Sequence, residues 1–414
     1  MPRLIRMNVV LAVALAAFVV RLAAALAMDG LKHPELWEYD DIARAIVAGQ
    51  GFTYHFHGIT YYSYAPPLYS WLSAASYWVA GSLVPVMLLQ ITAGSVLAAI
   101  AASMAQRLFR SAAAAVSAGL LVAGHPGLII YAASKAHPLI FDAFFFALAM
   151  LQVFRFRDQP GLRRSVELGL IVGIGTLSRA TIIIALPIGA LWLLFATPRS
   201  AWPAIIRGIA VAGMMAVASL TPWTIRNYRV HHQFVFVLTT DGDDFWRGNN
   251  PNATGHSYIS PSYRVLDSLS PEERRDLINQ PTELAQSAWF MARAKAFIRE
   301  HPAEFVRLTV LKFFSFWWFG PQTGVQYPAS WFWLYAFYYT AILACAVVGV
   351  WKLARLGSDA MRQALLLMVL LFALSVLQSL YYVEGRHRWG VEPILLAISG
   401  GGVAVLFERR KYAP

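Results

Sequence analysis

Charge is what this sequence has least of. Only 14% of its 414 residues are Asp, Glu, Lys or Arg, while 58% are hydrophobic. A soluble domain carries roughly a quarter charged residues, so the chain lacks the polar surface that a soluble fold of this size needs. Cysteine is nearly absent. Cys345 stands alone in an apolar run, which excludes an intramolecular disulfide and a cysteine-built metal site and leaves a small packing residue. There is no glycine-rich phosphate loop. Asp241, Asp243 and Asp244 with Gly242 have the composition of a calcium loop but not its order, so an EF-hand is excluded. His137, His231, His232, His301 and His387 lack zinc-ligand spacing, and His55 and His57 would point to opposite faces of a strand. No cofactor is called for, and a divalent metal finds no support in these patterns.

Apolar runs are what the sequence has in abundance. Val9–Met28, Val84–Met104, Ala112–Tyr131, Ala204–Leu220, Phe332–Trp351 and Ala364–Val383 each approach the ~20 residues that cross a ~30 Å hydrocarbon core. Met1–Arg6 ahead of the first run resembles the start of a secretory signal, but no A-x-A-like site follows, so the run reads as a spanning helix. The expected architecture is an all-α polytopic membrane protein, one integral-membrane domain over residues 1–414, with roughly ten transmembrane helices. No internal repeat of the transporter kind is visible.

The net charge of +12 would suit a nucleic-acid binder, yet the Lys and Arg residues concentrate at helix ends. Arg3 and Arg6, Arg107 and Arg110, Arg155 through Arg164, Arg199 and Arg207, Lys352 and Arg355, and Arg409 through Lys411 follow the positive-inside pattern. No nucleic-acid partner is expected. The same logic puts residues 29–83 on the far side as a first external loop with interfacial helices. Within it Glu35–Gly49 reads as an amphipathic helix, with Leu36, Tyr39, Ile42, Ala43 and Ile46 at helical spacing. Residues 223–302 form a second, larger external segment. It holds the turn-rich DGDDFWRGNNPNATG stretch, a helix start at Ser270-Pro271 and an amphipathic helix. Phe305–Phe319 has external flanks on both sides and reads as re-entrant or interfacial. Val166–Ala196 reads as two short helices meeting at Arg179.

Because acids are scarce, their clustering is informative. Glu35, Glu38, Asp40 and Asp41 lie together after the first helix; on a helix Glu35 and Glu38 would share a face. A carboxylate there can serve as general base toward a hydroxyl, or form the solvated face of an interfacial helix. Lys135, Arg179, Arg226, Arg386 and Arg388 lie at membrane depth or at far-side helix ends, where positive-inside bias does not account for them. Such cations are costly in lipid. They suit a lipid-linked phosphate, or pairing with acids such as Glu384 and Glu392.

Four segments in order resemble bacterial polyprenyl-phosphate-sugar glycosyltransferases of the glycosyltransferase C fold, relatives of the protein O-mannosyltransferases and of the lipid A aminoarabinose transferase. They are ELWEYDDIARAIVAGQGF followed by PPLYSWL, GIGTLSRATIIIALP, PWTIRNY with DGDDFWRGNNP, and EGRHRWGVEPILL. The resemblance implies transfer of a sugar from a polyprenyl-phosphate donor to a glycan, lipid or protein acceptor. The transfer would be inverting, at the exterior (periplasmic) face of a bacterial inner membrane. It implies a base among Glu35, Glu38 and Asp40, with Glu35 at the family's position four before Tyr39. Lys135, Arg179, Arg226, Arg386 and Arg388 become candidate donor-phosphate ligands. The chain departs from the pattern in three ways. Glu35 stands for the usual Asp, Lys135 and His137 stand where the second external loop often carries an acid, and Ala65 stands where the aminoarabinose branch has Lys. The last of these points to a different donor sugar. The alternative reading is a transporter or lipid flippase, which would hold its charges at the midplane on paired broken helices.

Overall fold

The computed structural model describes residues 3–318 and 328–408; the basic cluster Arg409–Lys411, expected on the near side, lies outside them. The chain is helical apart from two small antiparallel hairpins. Helix α1 (Arg3–Ala27) is followed by α2 (Glu38–Val47), by β1 (Tyr54–Phe56) paired with β2 (Ile59–Tyr61), and by α3 (Pro67–Ala80). The bundle continues through α4 (Val84–Phe109), α5 (Ala112–Ala123), α6 (Pro126–Ser134), α7 (Leu139–Asp158), α8 (Leu162–Thr176), α9 (Ala185–Ala196) and α10 (Trp202–His231). An outer segment then holds α11 (Asp241–Arg247), β3 (Tyr258–Ser260) paired with β4 (Tyr263–Arg264), α12 (Pro271–Ile278) and α13 (Glu283–Glu300). Helices α14 (Pro302–Trp317), α15 (Ala329–Leu356), α16 (Ser358–Ser379), α17 (Gly385–Trp389) and α18 (Glu392–Glu408) complete the described chain.

Among the described residues six helices are long and apolar enough to cross a membrane, or seven if the bent α5–α6 pair is one span. The expectation of roughly ten crossings counted every apolar run as a ~20-residue span. Breaks shorten several of them. Helices α8, α9 and α18 have 15, 12 and 17 residues. As expected, α8 and α9 meet at Arg179: the helix ends at Thr176, Arg179 is extended (φ −150°, ψ 117°), and a 3-10 turn over Ala180–Ile184 leads into α9. The α5–α6 pair bends by 50° where Gly124 and Pro126 interrupt the ladder. That bend frees carbonyls where no water can reach them. Arg21 of α1, fully buried, donates to Val122 O at 2.9 Å and Ala123 O at 3.4 Å at this bend.

Helices α4 and α7 form the buried centre, with α1, α5, α8, α9 and α18 packed around them. Close approach relies on small residues, the usual device between helices in lipid. A Cβ on Gly169 would lie 2.3 Å from the carbonyl oxygen of Ala212, so α8 lies against α10 only because that position is bare. At one end of the bundle the basic helix termini are tied by acids. Arg107 pairs with Asp158 at 2.5 Å and Arg157 with Asp359 at 2.6 Å.

Three local expectations change. Glu35 is not in the first-loop helix. Pro34 precedes it, and Glu35 forms an extended parallel bridge with Lys135 before α2 starts after Trp37 (φ −129°, ψ 173°). Glu35 and Glu38 therefore do not share a helical face. Helix α10 runs on to His231, so the expected segment 223–302 starts inside that helix. The stretch from Asp241 to Arg247 is helical rather than a turn; Gly242 permits it, because a Cβ there would lie 2.0 Å from Ser287 O. The Ser270 cap is as expected, reciprocated by Glu273. Helix α14 begins beside α13 and ends beside Arg388, with Lys312 reaching Gly248 O at 2.9 Å in the outer segment.

Candidate active site

The end of the bundle opposite the Arg107–Asp158 pair encloses a cavity of about 1710 Å³. Its walls come from the stretch before α2, the junction of α6 and α7, the break at Arg179, the strand-like run after α10, α11, and α17. Each contributes polar groups because each is where a helix stops or starts, and its backbone and side chains need not face lipid.

Five of the eight residues singled out in the sequence line the cavity: Glu35, Glu38, Lys135, Arg179 and Arg386. Glu35 is ion-paired with Lys135. The pairing is fixed by backbone bonds from Glu35 N to Ser134 O at 2.8 Å and from Ala136 N to Glu35 O at 2.9 Å. Arg179 leaves the α8–α9 break toward Asp142 of α7 at 3.6 Å, and the Ser178 hydroxyl donates to the same carboxylate at 2.7 Å. Arg386 pairs with Glu384 at 2.8 Å and lies over the Trp37 ring at 4.8 Å.

Glu38 differs from the other first-loop acids. Partly buried in the wall, it has no ion pair and accepts no hydrogen bond from another residue's side chain among the described residues. Burial raises its pKa above the ordinary glutamate value, against the opposing pull of Arg386 and Arg247. A carboxylate that is short of partners, raised in basicity and open to a cavity has the properties of a general base.

The other three lie outside the lining. Asp40, 2% exposed, accepts from Arg44 Nε at 2.7 Å and from the Tyr77 hydroxyl at 2.6 Å, holding α2 to α3. Arg226 donates to the carbonyls of Tyr62 at 2.5 Å and Phe52 at 3.3 Å, tying the first loop to α10. Arg388, 1% exposed, donates to Glu392, to the carbonyls of Phe316 and Trp318, both at 2.9 Å, and to the Tyr335 hydroxyl at 2.5 Å. It fastens α14, α15 and α17 to α18. Each is fully engaged with protein.

Helix α11 adds two groups that the sequence reading did not place in the site. Arg247 is gripped by Asp243 one turn earlier on α11, with Nε at 2.9 Å and a terminal nitrogen at 2.5 Å, and lies over the Tyr382 ring at 5.7 Å. That grip leaves its other N–H edge to the cavity. The i, i+4 spacing of Asp243 and Arg247 was the available signal. Asp244 lines the cavity with no side-chain partner among the described residues, and burial pushes its pKa up to about 7. His256 and His387 also line the wall. Burial lowers the pKa of both, and His256 bonds to Val383 O at 2.7 Å. Among the described residues no group of three or more His, Cys, Asp or Glu could hold a metal ion.

The wall thus combines free carboxylates with guanidinium groups that are each oriented from behind by an acid, three of these by Asp142, Asp243 and Glu384. Such an arrangement can accept a proton at one point and receive developing negative charge at another, without reorganising.

Comparison with known proteins fits this geometry. A sequence profile of the family described as dolichyl-phosphate-mannose-protein mannosyltransferase matches residues 64–225. The matched stretch contains Lys135 and Arg179 and leaves out Glu35, Glu38 and Arg386. No curated protein sequence matches the chain. Among solved structures, the apo oligosaccharyltransferase of Archaeoglobus fulgidus aligns with a TM-score of 0.60 at 12% identity, over 98% of this chain and 51% of that one. The same enzyme in complex with Zn and sulfate gives 0.57 at 13%, over 98% and 50%. ArnT from Cupriavidus metallidurans bound to undecaprenyl phosphate gives 0.45 at 14%, over 96% and 77%. The chain spans about half the length of the oligosaccharyltransferase. What is shared is the architecture: the chain is an all-α polytopic membrane protein with the glycosyltransferase C fold.

Proposed function

We propose that the chain is a membrane glycosyltransferase that moves a sugar from a polyprenyl-phosphate donor to an acceptor hydroxyl, with inversion, at the external face of the membrane. The observation that carries this is the unpartnered Glu38 carboxylate facing the same cavity as Arg386 and Arg247. Glu38 takes the proton of the acceptor hydroxyl. The oxygen attacks the anomeric carbon from the side opposite the phosphate, the bond from that carbon to the phosphate oxygen breaks, and the lipid phosphate leaves with one more negative charge. Arg386 and Arg247, with Arg179 and Lys135 nearby, receive that charge through N–H groups already aimed at it. Glu35, neutralised by Lys135, fixes the loop that carries Glu38.

The profile match to a family named for a lipid-phosphate-sugar reaction and the oligosaccharyltransferase architecture support this reading. So does the collection of the basic helix termini at the end away from the cavity, the positive-inside signature of a cavity that faces outward. The test is transfer of labelled sugar from polyprenyl phosphate by membranes containing Glu38→Gln, Glu35→Gln or Asp40→Asn. Activity lost in Glu38→Gln and kept in Asp40→Asn is expected. Full activity in all three sinks the first-loop base. A flippase would move the lipid-linked sugar without any Glu38-dependent bond cleavage.

A further inference from the structure

Beside the large cavity lies a second, smaller recess of about 450 Å³, between helix α2 and the β1–β2 hairpin. Asp41, Gln50, Thr53, His55 and Thr60 bring a carboxylate, a carboxamide, two hydroxyls and an imidazole to it. Among the described residues none of these five side chains has an ion pair or a hydrogen bond to another residue. The neighbouring acid on the helix is different: Asp40 is spent on Arg44 and Tyr77. Tyr54 lines both the recess and the large cavity. Its ring centroid lies 4.5 Å from that of Tyr64 and 5.9 Å from that of Phe56, two further rings of the large cavity. Burial raises the pKa of the Tyr54 hydroxyl, and the charges of Glu38 and Asp41 raise it further, so the phenol is within reach of both acids. Those two acids are three residues apart on α2, roughly 4.5 Å along its axis.

No Lys or Arg lines the recess, so it lacks the charge that a phosphate needs. Ala45 is its one aliphatic side chain, too little apolar surface to hold a lipid chain. What remains are groups that donate and accept hydrogen bonds beside an aromatic ring. A neutral sugar matches that set, with hydroxyls around its edge and an apolar C–H face. The volume lies within the roughly 300–1,000 Å³ of small-ligand pockets. The geometry points to a binding site for a neutral sugar unit in this recess, with the Tyr54 ring as the wall it shares with the large cavity. The inference rests on the glycosyltransfer reading and adds a subsite next to Glu38. The unit belongs either to the acceptor, beside the hydroxyl that Glu38 deprotonates, or to the sugar-bearing end of the donor.

The full chain in detergent is titrated with methyl glycosides of neutral hexoses and pentoses and followed by saturation-transfer difference NMR. Contact signals from the ring C–H face of at least one glycoside are expected, lost in Thr60→Trp and kept in Glu38→Gln. Thr60 is an exposed strand residue, so a Trp there fills the recess and still suits the hairpin. Asp41→Ala removes a hydrogen-bonding partner and should raise the dissociation constant about tenfold. Signals from no glycoside, or signals unchanged in Thr60→Trp, overturn the recess as a sugar site. Adding polyprenyl-phosphate sugar tells the two sources apart: displaced signals assign the recess to the donor's sugar, persistent ones to the acceptor's. Transfer assays on the same variants keep the enzyme reading separate. Thr60→Trp should raise the half-saturating amount of the substrate that occupies the recess about tenfold with kcat unchanged. Glu38→Gln protein that binds glycoside and transfers at full rate sinks the proposed base and leaves the sugar site standing.

Discussion

The two ends of this bundle hold the same kinds of residue and use them differently. At the basic end Arg107, Arg157 and Arg164 meet Asp158, Asp359 and Glu167 at 2.5–2.7 Å. None of these residues is part of the cavity lining. At the cavity end Arg179, Arg247 and Arg386 also have acidic partners, yet all three line the cavity, and among the described residues Glu38 and Asp244 have no ion pair. The pairs at the basic end finish helix termini. At the cavity end the pairs hold cations against the wall of a cavity large enough for a substrate. Ion pairs as such carry no functional information; the unsatisfied remainder does.

Four experiments press on this contrast. The largest effect is expected from Glu38→Gln, a loss of about 10²–10⁴-fold in sugar transfer, with Glu35→Gln losing less because Lys135 and the backbone bridge remain. Comparable losses from Glu38→Gln and from Arg107→Ala at the basic end would erase the distinction. Next comes a pair two residues apart. Arg386→Ala, which uncovers the part-exposed pair with Glu384, should cost roughly 10²–10³-fold in kcat with a smaller fall in the thermal midpoint in detergent than Arg388→Ala gives. Arg388→Ala, which leaves Glu392 buried without its cation, should destabilise by about 3–5 kcal/mol. Thermal shift and kcat measured on both variants separate the roles.

The third is pH dependence. In the proposed reaction Glu38 acts as the carboxylate, and its pKa is raised by burial. The transfer rate should therefore climb with pH along a limb lying above the ordinary glutamate range, and that limb should vanish in Glu38→Gln. Asp244 has a stability counterpart. Its folded pKa of about 7 exceeds its ordinary value, so the folded state holds a proton that the unfolded state releases. Stability is then lost as pH rises toward 7. Asp244→Asn should raise the thermal midpoint relative to wild type more at pH 8 than at pH 5, and an equal gap at both would refute the assignment. The smallest effect is expected from Arg107→Ala. Its pair is partly exposed, so a change of about 0–1 kcal/mol and activity within twofold are expected.

Much of this was legible in the sequence, for a reason that particular residues make plain. Arg179 stood out because a cation in the middle of an apolar run has few explanations, and the break it marks is there. Arg386 and Arg388 could not be told apart, being two residues apart on one short helix. One faces Glu384 and the cavity; the other is enclosed by α14, α15 and α18. Arg226 looked like an isolated cation because its partners are backbone carbonyls of a loop more than 160 residues earlier, and a sequence gives no hint of those. Glu35 and Glu38 looked alike on a helical wheel. Pro34 and the bridge to Lys135 put the first outside the helix and gave it a counterion.

The sequence by itself determined that this chain lives in lipid, that its polar segments gather at one end, and which short stretches carry acids and cations there. Those properties follow from local composition, because each ~20-residue window must satisfy the bilayer on its own. Tertiary structure alone decided which charges are spent on each other and which stay open. Pairing depends on who is within about 4 Å, and that distance is set by helices that meet only after the bundle has packed. The choice of Glu38 over Glu35 and Asp40, and of Arg247 over Arg226 and Arg388, comes from that packing.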